Sequence, residues 1–244
     1  MKIIFVLIAV LSFMSQAEPL QFVAEDLPPY HFKDKSGKVK GALVDIIKAL
    51  AKEADIDYSI ELYPFARAHH LLKTNPNVLM FSLLKSPSRE NEFLWLGKMY
   101  HNDAFLVSLK GSNQNVANLE QAKNHVVGTI RSYYSESYLR NAGFKEERNM
   151  SLSVNYQRLW HMLFTNRIEF VLTNTLSLNT ELSDLNLDVD DVERVIELTD
   201  FPNELHLAGN LSLSASKAKG LEQALRVIKE NGQFQSILNN WGLN

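Results

Sequence analysis

The chain has 244 residues, 45% of them hydrophobic and 22% charged, with a formal net charge of −3 and no cysteine. The mild negative charge excludes a nucleic-acid binder that works through a basic surface, and the missing cysteine removes disulfides, thiolate metal sites and thiol catalysis together. A chain of this length can bury a large core, as one big domain or as two lobes of about 100 residues each.

The sequence opens with Met1-Lys2, an apolar block from Ile3 to Met14, and Ser15-Gln16-Ala17. Charge, apolar core and small-residue end come in the order of a secretory leader. The block is shorter than the roughly 20 residues a spanning helix needs. Residues 1–17 are therefore expected to be cleaved near Ala17, leaving a soluble periplasmic protein.

Leu20 to Ala24 is a short apolar strand, and Glu25-Asp26-Leu27-Pro28-Pro29-Tyr30 follows as a turn stiffened by two prolines. Leu43, Ile46, Ile47, Leu50, Ala51 and Ala54 recur at three and four, which predicts one apolar helix face, with Asp45 near the start where the helix dipole favours a carboxylate. Tyr58 to Leu62 alternates as a strand, and Pro64 opens a helix through Phe65, Ala68 and Leu72. The run from Val78 to Leu83 has no helical spacing and predicts a strand covered on both faces, ended by Pro87. Strand, helix, strand, helix, strand argues a parallel sheet. Arg89 comes just past the carboxyl end of that strand, where open α/β sheets bind ligands, and its planar fork suits a carboxylate. The competing reading is a solvated turn arginine paired with Glu90 or Glu92. His69 and His70 are adjacent on one helix and cannot share a metal from neighbouring positions, so no metal site is expected.

Phe105 to Leu109 predicts a strand, and the polar stretch Lys110 to Asn115 a segment crossing between lobes. A second αβ series follows: a strand over Val126 to Ile130, a helix begun by Ser132 to Glu136, an amphipathic helix over residues 154–166, and a strand from Glu169 to Thr173 that ends at Asn174. Asn174 also suits a helix N-cap. Asp200-Phe201-Pro202-Asn203 marks a second crossing, before a strand around Leu205 to Leu211 and a helical tail from Ser216 to Trp241 broken at Gly232. Trp160 and Trp241 fall on apolar helix faces and are expected in the core.

The segment from Gly41 to Ala51, together with Leu221 to Leu225, Asn231-Gly232 and Ile237 to Leu243, resembles the family 3 extracellular solute-binding proteins, the amino-acid-binding class of ABC transporters. The resemblance implies an α/β, two-lobed periplasmic-binding-protein fold of type II, with the ligand cleft between lobes joined by two crossing segments and closed by a hinge. The first lobe would be residues 18–109 plus 203–244, and the second 110–202. It implies that Arg89 clamps an α-carboxylate, that Ser82 and Leu84 flank it on the strand end, and that Phe65 packs on the ligand. Tyr30 and Glu25 would come from the first-lobe loop, and Arg131, Ser132, Tyr133 and Tyr134 match a turn whose hydroxyl and backbone donors meet the carboxylate. Asn174 stands where the family often has an Asp that takes the ligand's ammonium, so a carboxylate without a free α-ammonium is expected. The implied protein is a monomer without cofactor that delivers a small molecule to an inner-membrane ABC permease. A dehydratase-type enzyme on the same fold would need an acid-base group in the cleft, for which Glu25 is the candidate. A sensory ligand-binding module would need the same pocket.

Overall fold

A computed structural model describes residues 19–112 and 116–243. The leader expected at residues 1–17 and the last three residues of the 110–115 stretch lie outside the described residues.

The chain begins with β1 (Leu20–Ala24), the short hairpin β2 (Phe32–Lys33) and β3 (Val39–Lys40), α1 (Ala42–Glu53), β4 (Tyr58–Leu62), α2 (Phe65–Thr74), β5 (Val78–Leu84) and β6 (Leu94–His101). The middle holds β7 (Ala104–Leu109), α3 (Leu119–Ala122), β8 (Val127–Ile130), α4 (Tyr134–Asn141), β9 (Met150–Ser153), α5 (Tyr156–Phe164), β10 (Phe170–Asn174), α6 (Leu178–Asp184) and β11 (Val192–Glu197). β12 (Glu204–Gly209), α7 (Ala215–Glu230) and α8 (Gln233–Asn240) close the chain.

Two five-stranded sheets result, ordered β4-β1-β5-β12-β6 and β11-β7-β10-β8-β9. β1 pairs in parallel with both β4 and β5, as the strand-helix alternation requires. β12 returns from the far end of the chain and slots antiparallel between β5 and β6. α1 lays Leu43, Ile46, Ile47 and Leu50 on one face of the first sheet with α7 and α8, while α2 covers the other face through Ala68 and Leu72. The second sheet is likewise covered on both sides, by Leu139 and Phe144 on one and by Leu159, Trp160 and Leu163 on the other. Gly232 stands between α7 and α8 with φ 81°, a conformation open to glycine, and so makes the expected break in the tail.

The expected lobe boundary at residue 109 moves. β7 lies in the second sheet, between β10 and β11, because Phe105, Leu106 and Val107 are buried on both faces and need a central position there. The chain therefore leaves the first sheet after His101 and crosses at Asn102-Asp103, and the 110–112 stretch begins a surface turn of the second lobe. The return crosses at Pro202-Asn203, within the stretch expected. The two crossings run side by side, with the Asn102 amide donating to the Asn203 carbonyl at 2.8 Å and Asn203 Nδ2 donating to Asp103 Oδ1 at 3.2 Å.

Gly41 positions the loop that later faces the cavity. It takes φ 130° and ψ 165°, a region that side-chain-bearing residues avoid, and a Cβ there would lie 2.3 Å from the Tyr30 carbonyl oxygen. This close approach lets the first turn of α1 bind the loop: Ala42 and Leu43 donate their amides to Pro29 and Tyr30. Gly41→Ala is expected to destabilise the fold by about 1–3 kcal/mol, read as a lower midpoint in thermal denaturation.

Candidate ligand-binding site

The carboxyl ends of β1, β5, β8 and β10 meet between the two sheets around a cavity of about 540 Å³. Glu25 follows β1, Ser82 and Leu84 end β5, Tyr133 follows β8 and Asn174 ends β10, so the strand-end rule for open sheets places side chains from both lobes on one space.

Arg89 sits in a short 3₁₀ turn, Pro87–Arg89, and is half-buried. Its Nη1 donates to the Leu84 carbonyl at 3.3 Å, and its guanidinium carbon lies 5.6 Å from the Phe65 ring centroid. Burial lowers its pKa, with the Glu92 charge opposing. The competing ion pairs are not made. Glu90 pairs with Lys85 at 3.4 Å and Glu92 with Lys73 at 2.9 Å, and among the described residues no carboxylate lies within 4.0 Å of Arg89. A cation partly removed from water without an anion is an expensive group, and it faces the cavity. Ser82 Oγ and Asn102 Oδ1, from two further residues lining the cavity, are buried without a hydrogen-bond partner among the described residues. Buried polar atoms are rarely left so.

Beyond the Phe65 ring the character of the cavity changes. Phe65 and Tyr133 face each other from the two lobes with centroids 5.4 Å apart, and Tyr133 Oη donates to Glu25 Oε2 at 2.6 Å. Trp160 Nε1 donates to Glu181 Oε2 at 2.7 Å and Tyr156 Oη to Asp184 Oδ2 at 2.6 Å. Glu25, Asp26, Glu181 and Asp184 all line the cavity. Burial raises the Glu25 carboxyl above its usual range against the Tyr133 hydrogen bond. Burial also pushes Glu181 up to about 7, opposed by Trp160 and Ser177 and reinforced by the Glu25 charge. For Asp26, burial raises the pKa and the Asp184 charge adds to it. Low-dielectric surroundings and like charges act together here, and both are relieved by a cation.

Glu25, Phe65, Ser82, Leu84, Arg89, Tyr133, Tyr134 and Asn174 thus line one cavity. Tyr30, Arg131 and Ser132 do not. Tyr30 is 6% exposed, packed in the first-lobe core with its ring 5.3 Å from that of Tyr100, because the start of α1 draws it inward. The turn before α4 sends alternate groups in opposite directions. Arg131 pairs with Glu146 at 2.8 Å on the outer surface, and the Ser132 amide, at φ 68°, donates to Glu136 Oε2 at 2.8 Å and is no longer free for a ligand. His69 supports Phe65 by ring stacking at 5.6 Å and is held neutral, pulled down to about 4 chiefly by burial and then by Arg89 and Lys73. No group of three metal-ligating side chains occurs among the described residues. Asn102, Tyr156, Glu181 and Asp184 were not expected at the site.

The family described as bacterial extracellular solute-binding proteins, family 3, matches residues 21–244. The chain belongs to that family. This solute-binding protein is 23% identical over 229 residues to the arginine-binding periplasmic protein of Mannheimia haemolytica, covering 93% of this chain and 92% of the relative. Its fold is shared with an ancestral arginine-binding protein solved with arginine, at a TM-score of 0.75 and 20% identity over 91% of this chain and 97% of the other. It is shared as well with a histidine kinase sensor domain similar to periplasmic binding proteins, at a TM-score of 0.80 and 16% identity over 92% and 96%. The α/β two-lobed architecture implied by the sequence is the one observed.

Glu181 gives the site a pH signature. Its pKa rises from 4.5 unfolded to about 7 folded, so its stabilising contribution is full below the unfolded value and is lost as pH rises through about 7. The thermal midpoint of the ligand-free protein is expected to fall between about pH 5 and about pH 8, by the equivalent of about 1–3 kcal/mol, and Glu181→Gln should flatten that fall.

Proposed function

We propose that the protein captures a small carboxylate-containing solute with a cationic side chain, an amino acid or a close relative of one, by closing its two lobes around it. The carrying observation is the division of charge in one interlobe cavity: an arginine against Phe65 with no carboxylate within 4.0 Å among the described residues, and four lining carboxylates, of which Glu25 is bonded to Tyr133, the ring that faces Phe65. Arg89 takes the carboxylate through its forked donors, the two rings cover the apolar body, and Glu25 with Glu181 receives the cation. The arginine-binding name of the Mannheimia relative supports a ligand of this class.

The protein acts as a binder and not as an enzyme. Glu25, the acid-base candidate, is held by the Tyr133 hydroxyl beside further carboxylates, an arrangement that suits a cation better than proton transfer to a carbon. After loss of residues 1–17 it works as a periplasmic monomer and delivers its ligand to an inner-membrane ABC permease; permease and ATPase genes beside its own would accord with that role.

A thermal-shift screen tests the reading with arginine, lysine, their N-acyl derivatives, ω-guanidino acids and simple anions. At least one cationic carboxylate should raise the midpoint of the natural protein and none that of Arg89→Met. Stabilisation by simple anions alone would contradict it. For whichever compound binds, Phe65→Ala is expected to weaken calorimetric affinity by about 1–3 kcal/mol.

A further inference from the structure

We infer that Asn174 sets the specificity of the cavity against a free α-ammonium, so that the preferred ligand is an ω-cationic carboxylate whose nitrogen beside the carboxylate is acylated or absent. The inference rests on the reading above, in which Arg89 holds the carboxylate and the acidic group holds a cation.

Asn174 ends β10 directly opposite Ala104 of β7, two residues beyond Asn102, and so stands on the crossing-segment side of the cavity. Its Oδ1 accepts the Leu176 amide at 3.0 Å and the Ser177 amide at 2.9 Å, because the turn into α6 needs a cap. Both lone-pair directions of that oxygen are used. What Asn174 has left for a ligand is Nδ2, a donor. The other groups on this side are Arg89, a cation, and Ser82 Oγ and Asn102 Oδ1, two neutral oxygens without partners. Of the carboxylates lining the cavity, Glu25 is bonded to Tyr133, Asp184 to Tyr156 and Glu181 to Trp160 and Ser177, and among the described residues none is hydrogen-bonded to Asn174.

Free arginine or lysine brings two cations and one carboxylate. With the carboxylate on Arg89 and the side chain among the acids, the ammonium one carbon from the carboxylate is left beside Arg89 and against the Asn174 donor. It loses water, and with Glu25 and Glu181 taken up by the side-chain cation it has no carboxylate of its own. A neutral amide at the same place is matched: its single N–H finds an oxygen such as Asn102 Oδ1, and its carbonyl accepts from Asn174 Nδ2. A methylene there needs neither. A cavity of about 540 Å³ has room for the acyl group.

Calorimetry with arginine, N-acetylarginine and 4-guanidinobutyrate, on the natural protein and on Asn174→Asp, tests the inference. Aspartate keeps one oxygen for the two amides and offers the second as an anion. The natural protein should bind N-acetylarginine or 4-guanidinobutyrate at least about tenfold more tightly than arginine, and Asn174→Asp should cancel or reverse that ratio. Arginine binding as tightly as either analogue to the natural protein overturns the inference while leaving the cationic-carboxylate reading intact, whatever the variant's stability. An unchanged ratio in an Asn174→Asp protein with a normal thermal midpoint overturns it too. If only lysine or its N-acetyl derivative binds, the same ratio is read on that pair; failure of these two and of all three guanidino probes to bind the natural protein removes the parent reading and the inference together.

Discussion

The rest of the site depends on a charge separation that the protein does not neutralise within itself. Among the described residues the half-buried Arg89 meets a carbonyl and an aromatic face but no carboxylate within 4.0 Å, while burial pushes Glu25, bonded to Tyr133, and Glu181 toward protonation. Bringing the two sets together would remove both penalties, and the rings keep them apart. Each side is therefore more stable with an external partner of opposite sign than without one, and the spacing between them becomes a measure of the ligand. This is preorganised binding in the ordinary sense: the unfavourable electrostatics of the free protein are the favourable electrostatics of the complex.

The same cavity exists only because two lobes contribute to it. Tyr133 reaching Glu25 and Thr180 Oγ1 donating to the Pro28 carbonyl at 2.8 Å are contacts between elements of different sheets. Opening the lobes would break them, whereas the crossings at Asn102-Asp103 and Pro202-Asn203 are hydrogen-bonded to each other and lie at the join of the two sheets, where a hinge would bend. Two hydrogen bonds of about 1 kcal/mol each and the Phe65–Tyr133 ring contact of about 0.5–1.5 kcal/mol leave closure reversible without ligand.

Much of this was legible in the sequence where local physics and tertiary position agree. The α1 face, the parallel β1, β4 and β5 and the break at Gly232 follow from spacing, proline and glycine. Arg89 was legible because a buried strand must end before a charged turn. β6 was not, since its burial is irregular and Gly97 with two register shifts against β12 erases the period-two pattern. The seven residues of α6 carry too short a pattern to mark a helix, so Glu181 and Asp184 had no recognisable address. β7 looked like the last strand of the first lobe because sequence adjacency cannot say which sheet a doubly buried strand enters. Arg131 and Ser132 were expected at the site because the whole turn resembles the family's, but successive residues of a turn point different ways, and a cap from Glu136 uses the backbone donor that the sequence left free.

The most direct test of the charge-separated cavity is a crystal structure of the protein with 4-guanidinobutyrate. The carboxylate is expected on Arg89, the chain alongside the touching Phe65 and Tyr133 rings, and the guanidinium among Glu25 and Glu181. A ligand bound in the reverse sense, or outside the interlobe cavity with Arg89 still unpaired, would contradict it.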